Sequence, residues 1–123
     1  MPLSEFAIIK QYFQRDFKGD SVILGPGDDC ALVKTPFKEG QCQALSMDTL
    51  VAGVHFPVDT NPADVGYKSL AVNLSDLAAM GAKPIWFSLA LTLPDVDADW
   101  LALFSSGLYS LAEQYELPLI GGD

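Results

Sequence analysis

Apolar side chains along this chain follow a helical period in three stretches and an extended pattern in four shorter runs, with polar or glycine-bearing segments between them. Phe6, Ile9, Tyr12 and Phe13 fall on one face behind Ser4, which predicts a short amphipathic helix capped by that serine; Gly19 and the Gly25-Pro26-Gly27 segment then break the chain. Residues 31–35 and 42–47 read as two strands joined by a turn around Lys38-Glu39-Gly40, an antiparallel pair. After a loop over residues 48–60, Asn61 and Pro62 supply an N-cap and a proline at the first helical position, and Leu70, Leu74, Leu77 and Ala78 make an apolar stripe that ends at Gly81. Asn73 and Asp76 stand at i, i+3 on this helix and share a face.

Between Pro84 and Pro94, residues 85–93 are apolar at both parities, the pattern of a strand covered on both faces. One face can lie on helices of its own domain. The other needs a second sheet, another domain or another copy of the chain, and a homodimer contact through the sheet is the expectation. Asp95, Asp97 and Asp99 then complement the dipole at the start of a helix in which Trp100, Leu103, Phe104, Leu108 and Leu111 repeat at core spacing. Residues 117–120 form a last short strand leading into Gly121-Gly122-Asp123.

Composition narrows the function classes. The chain has 123 residues, half of them apolar, with a formal net charge of −9, enough for one domain with a real core. No Lys/Arg stripe exists to displace counterions from a phosphate backbone, so nucleic acid is not an expected partner. No stretch reaches the roughly 18 apolar residues of a membrane span, and the N-terminus lacks the basic-then-apolar pattern of a signal peptide, so no membrane association and a cytoplasmic address are expected. Under that address Cys30 and Cys42 are expected to be reduced, small buried hydrophobes, and the single histidine, His55, has no zinc-ligand spacing to either.

Five of the carboxylates sit on short glycine-bearing or strand-end segments, Gly27-Asp28-Asp29, Ser46-Met47-Asp48, Asn73-Leu74-Ser75-Asp76 and Gly121-Gly122-Asp123. Two carboxylates about 4 Å apart repel by about 1 kcal/mol in water and about 4 kcal/mol near a protein surface, so a fold that gathers several must supply cations. Mg²⁺ takes oxygen ligands, keeps several waters and is shared between carboxylates and phosphates, which lets an acidic protein hold an anionic nucleotide. Asp76 is the most telling of the set. It lies among Leu74, Leu77 and Ala78 on a helix expected to pack inward, where a charge must be paired, hydrogen-bonded or metal-bound. By itself Gly-Asp-Asp also fits an ordinary acidic turn, and His55 an exposed loop histidine.

Taken in order, Gly27-Asp28-Asp29-Cys30-Ala31, the run from Asp48 through Gly53 and His55 to Phe56, the run from Asn73 through Asp76 and Met80 to Ala82, and Leu119-Ile120-Gly121-Gly122-Asp123 resemble the thiamine-monophosphate kinase family. The resemblance covers essentially the whole chain but only that family's N-terminal domain. It implies an α+β fold of the aminoimidazole ribonucleotide synthetase-like type, with a mixed or antiparallel sheet, helices on one face, and sheets pairing into a barrel in a dimer. Residues 1–123 would form an N-terminal ATP- and Mg²⁺-binding, dimerising domain, a second domain would complete the sites, and the first alone would not turn over.

The implied activity is ATP-dependent phosphorylation of thiamine monophosphate to the diphosphate by direct, Mg²⁺-assisted transfer, with no covalent catalytic residue. Phosphoryl transfer is mainly positioning and charge stabilisation, which agrees with a carboxylate-rich chain. Residue by residue, the resemblance makes Asp29, Ser46, Met47, Asp48, Asp76 and Asp123 metal ligands. Asp28 would orient its loop, and Met47 could serve only through its main-chain carbonyl, because a thioether is a poor magnesium ligand. Gly122 and Asp123 would approach the ATP phosphates, and His55 would bind the substrate phosphate. Lys68 and Lys83 read as solvated helix-end charges. Two alternatives remain: another ATP-using enzyme of the same superfamily, and a non-catalytic acidic module that binds cations and dimerises. No cysteine precedes Cys30, and Asp95-Val96-Asp97-Ala98-Asp99 lacks the glycine and distal glutamate of a calcium loop.

Overall fold

In the computed structural model, which describes residues 3–15, 22–34 and 38–122, Ser4 Oγ accepts the Ala7 N–H at 3.2 Å and starts helix α1, Glu5–Tyr12. Gly19, Thr35 and Asp123, which the sequence reading used, lie outside the described residues. The chain divides into two units. The first comprises Met1–Cys42, Ile85–Asp97 and Glu116–Asp123, and the second Gln43–Pro84 and Ala98–Tyr115.

In the first unit α1 carries Glu5 in its first turn and Lys10 in its last, each of the sign that its end of the helix dipole favours. Its inward side is set by Phe13, buried just past the helix, whereas Phe6 is exposed, contrary to the expected stripe. With only eight residues, the helix presents little more than one side, and Ala7, Ile8 and Ile9 take it. Strand β1, Val22–Leu24, pairs antiparallel with β2, Leu32–Val33, matching Val22 to Val33. The acidic turn lies between them.

Strand β2 was expected over residues 31–35, but its partner differs from the expected one. Residues 42–47 form no strand, and Leu45 and Met47 are 76% and 90% exposed. A run becomes a strand only where a ladder partner meets it, and among the described residues β2 pairs with β1 alone. The intervening turn is as expected: Lys38 and Gln41 bond reciprocally, Gln41 N–H to Lys38 O and Lys38 N–H to Gln41 Oε1, each at 3.0 Å. Cys30 and Cys42 form no disulfide, and both are exposed instead of buried as expected: Cys30 lies in the exposed acidic turn and Cys42 in the uncovered segment 41–49.

Of residues 85–93, Phe87–Leu89 forms a strand, β3, parallel to Leu119–Gly122, here β4. The residues on the two parities are not equivalent. Phe87, Leu89, Leu91 and Leu93 are half-buried, whereas on the other parity Trp86 is half-buried and the small residues Ser88, Ala90 and Thr92 are exposed. Leu119 and Ile120 of β4 are buried, as is Leu117 just before it.

The second unit is built on α2, Pro62–Ala79, and α3, Ala98–Gln114. Asn61 Oδ1 accepts the Ala63 N–H at 3.0 Å and Pro62 follows, as the sequence predicted. The far end closes as a Schellman motif: Gly81 N–H reaches Ala78 O at 3.0 Å and Ala82 N–H reaches Leu77 O at 2.9 Å, with Gly81 at φ 67°. Leu101, Phe104, Leu108, Leu111 and Ala112 of α3 are buried with Val65 and Leu70 of α2, and Trp100 stacks on Phe104 with ring centres 4.8 Å apart. Leu103, expected in this stripe, is 46% exposed, and Leu101 takes the inward position instead. At the crossing the helices touch backbone to backbone. A Cβ on Gly66 would overlap Phe104 O, and one on Gly107 would overlap Ala63 O.

Candidate functional site

In the first unit the acidic turn is held from two sides. Gln14 Nε2 donates to Pro26 O at 3.2 Å, and Asp28 Oδ1 accepts the Asp29 N–H at 2.8 Å. Asp28 therefore shapes the turn and leaves the exposed Asp29 carboxylate without a hydrogen-bond partner among the described residues. At the end of β4, Gly122 has φ 141°, and a Cβ there would overlap Leu89 O of the paired strand. Only glycine gives β4 this close backbone approach. Asp123, which follows it, lies outside the described residues.

The second unit carries the other candidates on α2 and on the segment that precedes it. Ser46 Oγ donates to Asn73 Oδ1 at 3.1 Å, and Asn73 Nδ2 donates to Ser69 O at 3.1 Å. The half-buried Asn73 thus draws Ser46 to the helix that bears Asp76, and by using the hydroxyl proton it leaves the serine lone pairs open to a cation. Asp48 is exposed, and Met47 points its thioether into solvent. Asp76 is exposed too. Its expected apolar surroundings are absent, since Ala78 is also exposed and Leu74 and Leu77 are only half-buried, so solvation alone can satisfy its charge.

His55 lies in a tight loop. Val54 and His55 N–H groups both reach Val51 O, at 3.0 and 2.9 Å, and Gly53 N–H reaches Phe56 O at 2.7 Å. The ring closes the same turn, with Nδ1 accepting the Val51 N–H at 2.8 Å. A main-chain N–H can only donate, so the neutral ring carries its proton on Nε2. Lys68 of α2 donates from Nζ to His55 O at 2.7 Å. From the sequence Lys68 is expected to be a solvated helix-end charge. The predicted bounds of α2 already placed it inside the helix, but no local signal announced its distant carbonyl partner.

The candidates accordingly divide between the units, Asp29 and Gly122 in the first and Ser46, Met47, Asp48, His55 and Asp76 in the second. Among the described residues no three His, Cys, Asp or Glu side chains stand close enough together to hold a metal ion. An open groove of about 250 Å³ beside α2 and α3, lined in part by Tyr67, Leu74, Leu111 and Tyr115, contains none of the candidate residues.

Positions 27–123 match the family model described as AIR synthase related protein, N-terminal domain. Over 124 aligned residues the chain is 57% identical to the thiamine-monophosphate kinase of Escherichia coli (strain K12), covering 100% of this chain and 38% of that protein. It is 52% identical to the enzyme of the same name from Haemophilus influenzae (strain ATCC 51907 / DSM 11121 / KW20 / Rd), again over 100% of this chain and 37% of the relative. The crystal structure of thiamine-monophosphate kinase from Stenotrophomonas maltophilia K279a superposes with a TM-score of 0.83 at 49% identity, covering 100% of this chain and 38% of that one. The chain thus spans less than two fifths of the length of these curated relatives.

Proposed function

This chain belongs to the AIR synthase related protein family, as its N-terminal domain, and on that premise we propose that it serves an enzyme that phosphorylates thiamine monophosphate to thiamine diphosphate with ATP. The observation that carries the reading is 57% identity, over 100% of the chain, to a protein named for that reaction. The remaining length of such an enzyme would supply the adenine pocket and the rest of the substrate site.

The donor set fits magnesium in kind. Asp29 and Asp48 offer exposed carboxylates, Ser46 keeps its lone pairs open through Asn73, and Met47 offers a main-chain carbonyl, all hard oxygen donors. Asp29, Ser46, Met47, Asp48, Asp76 and Asp123 would hold the ions. When bound, magnesium would supply the positive charge that lets polyphosphate lie against an acidic surface. Gly122 lets β4 lie backbone to backbone against Leu89, and at the end of that strand it would, with Asp123, face ATP. His55 would direct its Nε2–H to the phosphate of thiamine monophosphate, a role its engaged Nδ1 supports. In the reaction a terminal oxygen of that phosphate bonds to the γ-phosphorus of ATP as the β,γ-bridging bond breaks, and ADP leaves. No protein nucleophile is required.

The test is coupled ADP release by the complete enzyme that carries this chain. Turnover is expected with thiamine monophosphate and not with aminoimidazole ribonucleotide precursors; the reverse preference would move the chain to another activity of its superfamily, and turnover with neither would favour a non-catalytic cation-binding module.

A homodimer paired through the sheet, closing into a barrel, belongs to the same proposal. It is supported by β3, which has β4 on one edge and no second neighbour among the described residues, and by the exposure of Leu45, Met47, Val54 and Val58. Sedimentation at micromolar concentration is expected to give twice the chain mass; a monomer would mean these surfaces are covered in another way. The proposed address is cytoplasmic, in keeping with the ATP requirement, and among the described residues no helix is long and apolar enough to cross a membrane.

A further inference from the structure

The loop that presents His55 has little packing to hold it. Residues 51 to 55 are exposed, Val54 at 74%, and only Phe56 is half-buried. Its internal hydrogen bonds define a shape but do not by themselves attach that shape to the rest of the unit. A hydrogen bond ties it to α2 from thirteen positions away, where Lys68 Nζ donates to His55 O at 2.7 Å. Asp64 stands one helical turn before Lys68, a spacing that allows an ion pair, yet the hydrogen bond of the ammonium goes to the His55 carbonyl. The bond falls on the peptide of the very residue whose ring closes the turn onto the Val51 N–H, so a shift of that peptide also shifts the ring.

We propose that Lys68 is a positioning residue, whose ammonium fixes the His55 peptide so that the imidazole is locked as a single tautomer with Nε2–H held outward as a donor to an anionic phosphate oxygen. The phosphate as recipient rests on the function proposed above; the locking of the ring does not. An exposed lysine–carbonyl bond adds little to global stability. Its effect lies in orientation, because a donor already aimed at its acceptor loses less freedom on binding.

His55 is the only histidine of the chain, so its ring nitrogens can be read by NMR without ambiguity. With the ring neutral, the unaltered chain is expected to show the Nε2–H tautomer alone. Lys68→Met, which keeps the aliphatic stem, is expected to give a tautomer mixture and faster exchange of the Val51 amide, and Lys68→Arg to restore both. An unchanged tautomer in Lys68→Met overturns the proposal. In the complete enzyme Lys68→Met is expected to raise KM for thiamine monophosphate roughly tenfold, the equivalent of about one charge-assisted hydrogen bond, with kcat within about twofold. His55→Ala separates the two ideas: if it leaves KM unchanged, the substrate-binding reading of His55 fails, while the NMR result still decides the part played by Lys68.

Discussion

Replacing Gly107 with alanine is expected to destabilise the chain by more than about 3 kcal/mol, the upper end of what overpacking normally costs. Alanine is the better helix former by about 1 kcal/mol, so propensity alone predicts the opposite sign. Geometry decides against it. The added methyl would overlap Ala63 O and lie 2.6 and 2.8 Å from Ala63 C and Cα, and none of these main-chain atoms can rotate away. Relief requires α2 and α3 to separate, which would open voids around the buried Leu101, Phe104 and Leu108. Gly66→Ala drives the same separation from the other helix, against Phe104 O and Leu108 N. The double variant should therefore lose less than the sum of the two. Gly25 is the control, since a Cβ there meets only Val22 Cγ1 at an ordinary 3.8 Å. Urea unfolding measures all four proteins, and a Gly107→Ala midpoint equal to that of Gly25→Ala would show that the helices do not cross this closely.

Asp76→Asn in the complete enzyme is expected to lower phosphoryl transfer by about a hundredfold or more, with partial recovery as Mg²⁺ is raised, because a metal ligand contributes at least as much as the groups that merely support one. The thermal midpoint should stay within about 2 °C, since the side chain is exposed on α2 and the change is isosteric. That separation of activity from stability gives the experiment its force. An exposed aspartate that is only solvated would leave both unchanged, and normal turnover at every Mg²⁺ concentration would remove Asp76 from the proposed ligand set. Asp28→Asn is the companion measurement. Its Oδ1 accepts the Asp29 N–H, and an asparagine oxygen can accept the same bond, so activity should fall far less than in Asp76→Asn.

Several features of the fold were legible in the residues because their causes are local. Ser4, Asn61-Pro62 and Gly81 act on the few backbone groups beside them, and each helix end they predicted is present. The strands were harder to read. Val22–Leu24 is too short for a period to register, yet it is the segment that pairs with β2, while residues 42–47, read as a strand, pair with nothing described. Leu103 and Phe6 failed for a related reason. Helical spacing defines a stripe but not its width, and the elements packed against α1 and α3 decide which edge of the stripe is covered.

The candidate chemistry divides in the same way. Residue types and their order sufficed to single out the acidic segments, the closing glycines and His55, because oxygen donors and a titratable ring are properties of the side chains themselves. The fold alone determined how those groups are held: Asn73 takes the Ser46 proton, Asp28 is spent on its own turn, Asp76 stands in solvent, and Lys68 grips the His55 carbonyl across thirteen positions. Caps and periodicity act over one or two helical turns and can be read from neighbours in the chain. Ladder pairing, helix crossings and the aim of a hydrogen bond join residues far apart in sequence, so they come into being only once the chain has folded.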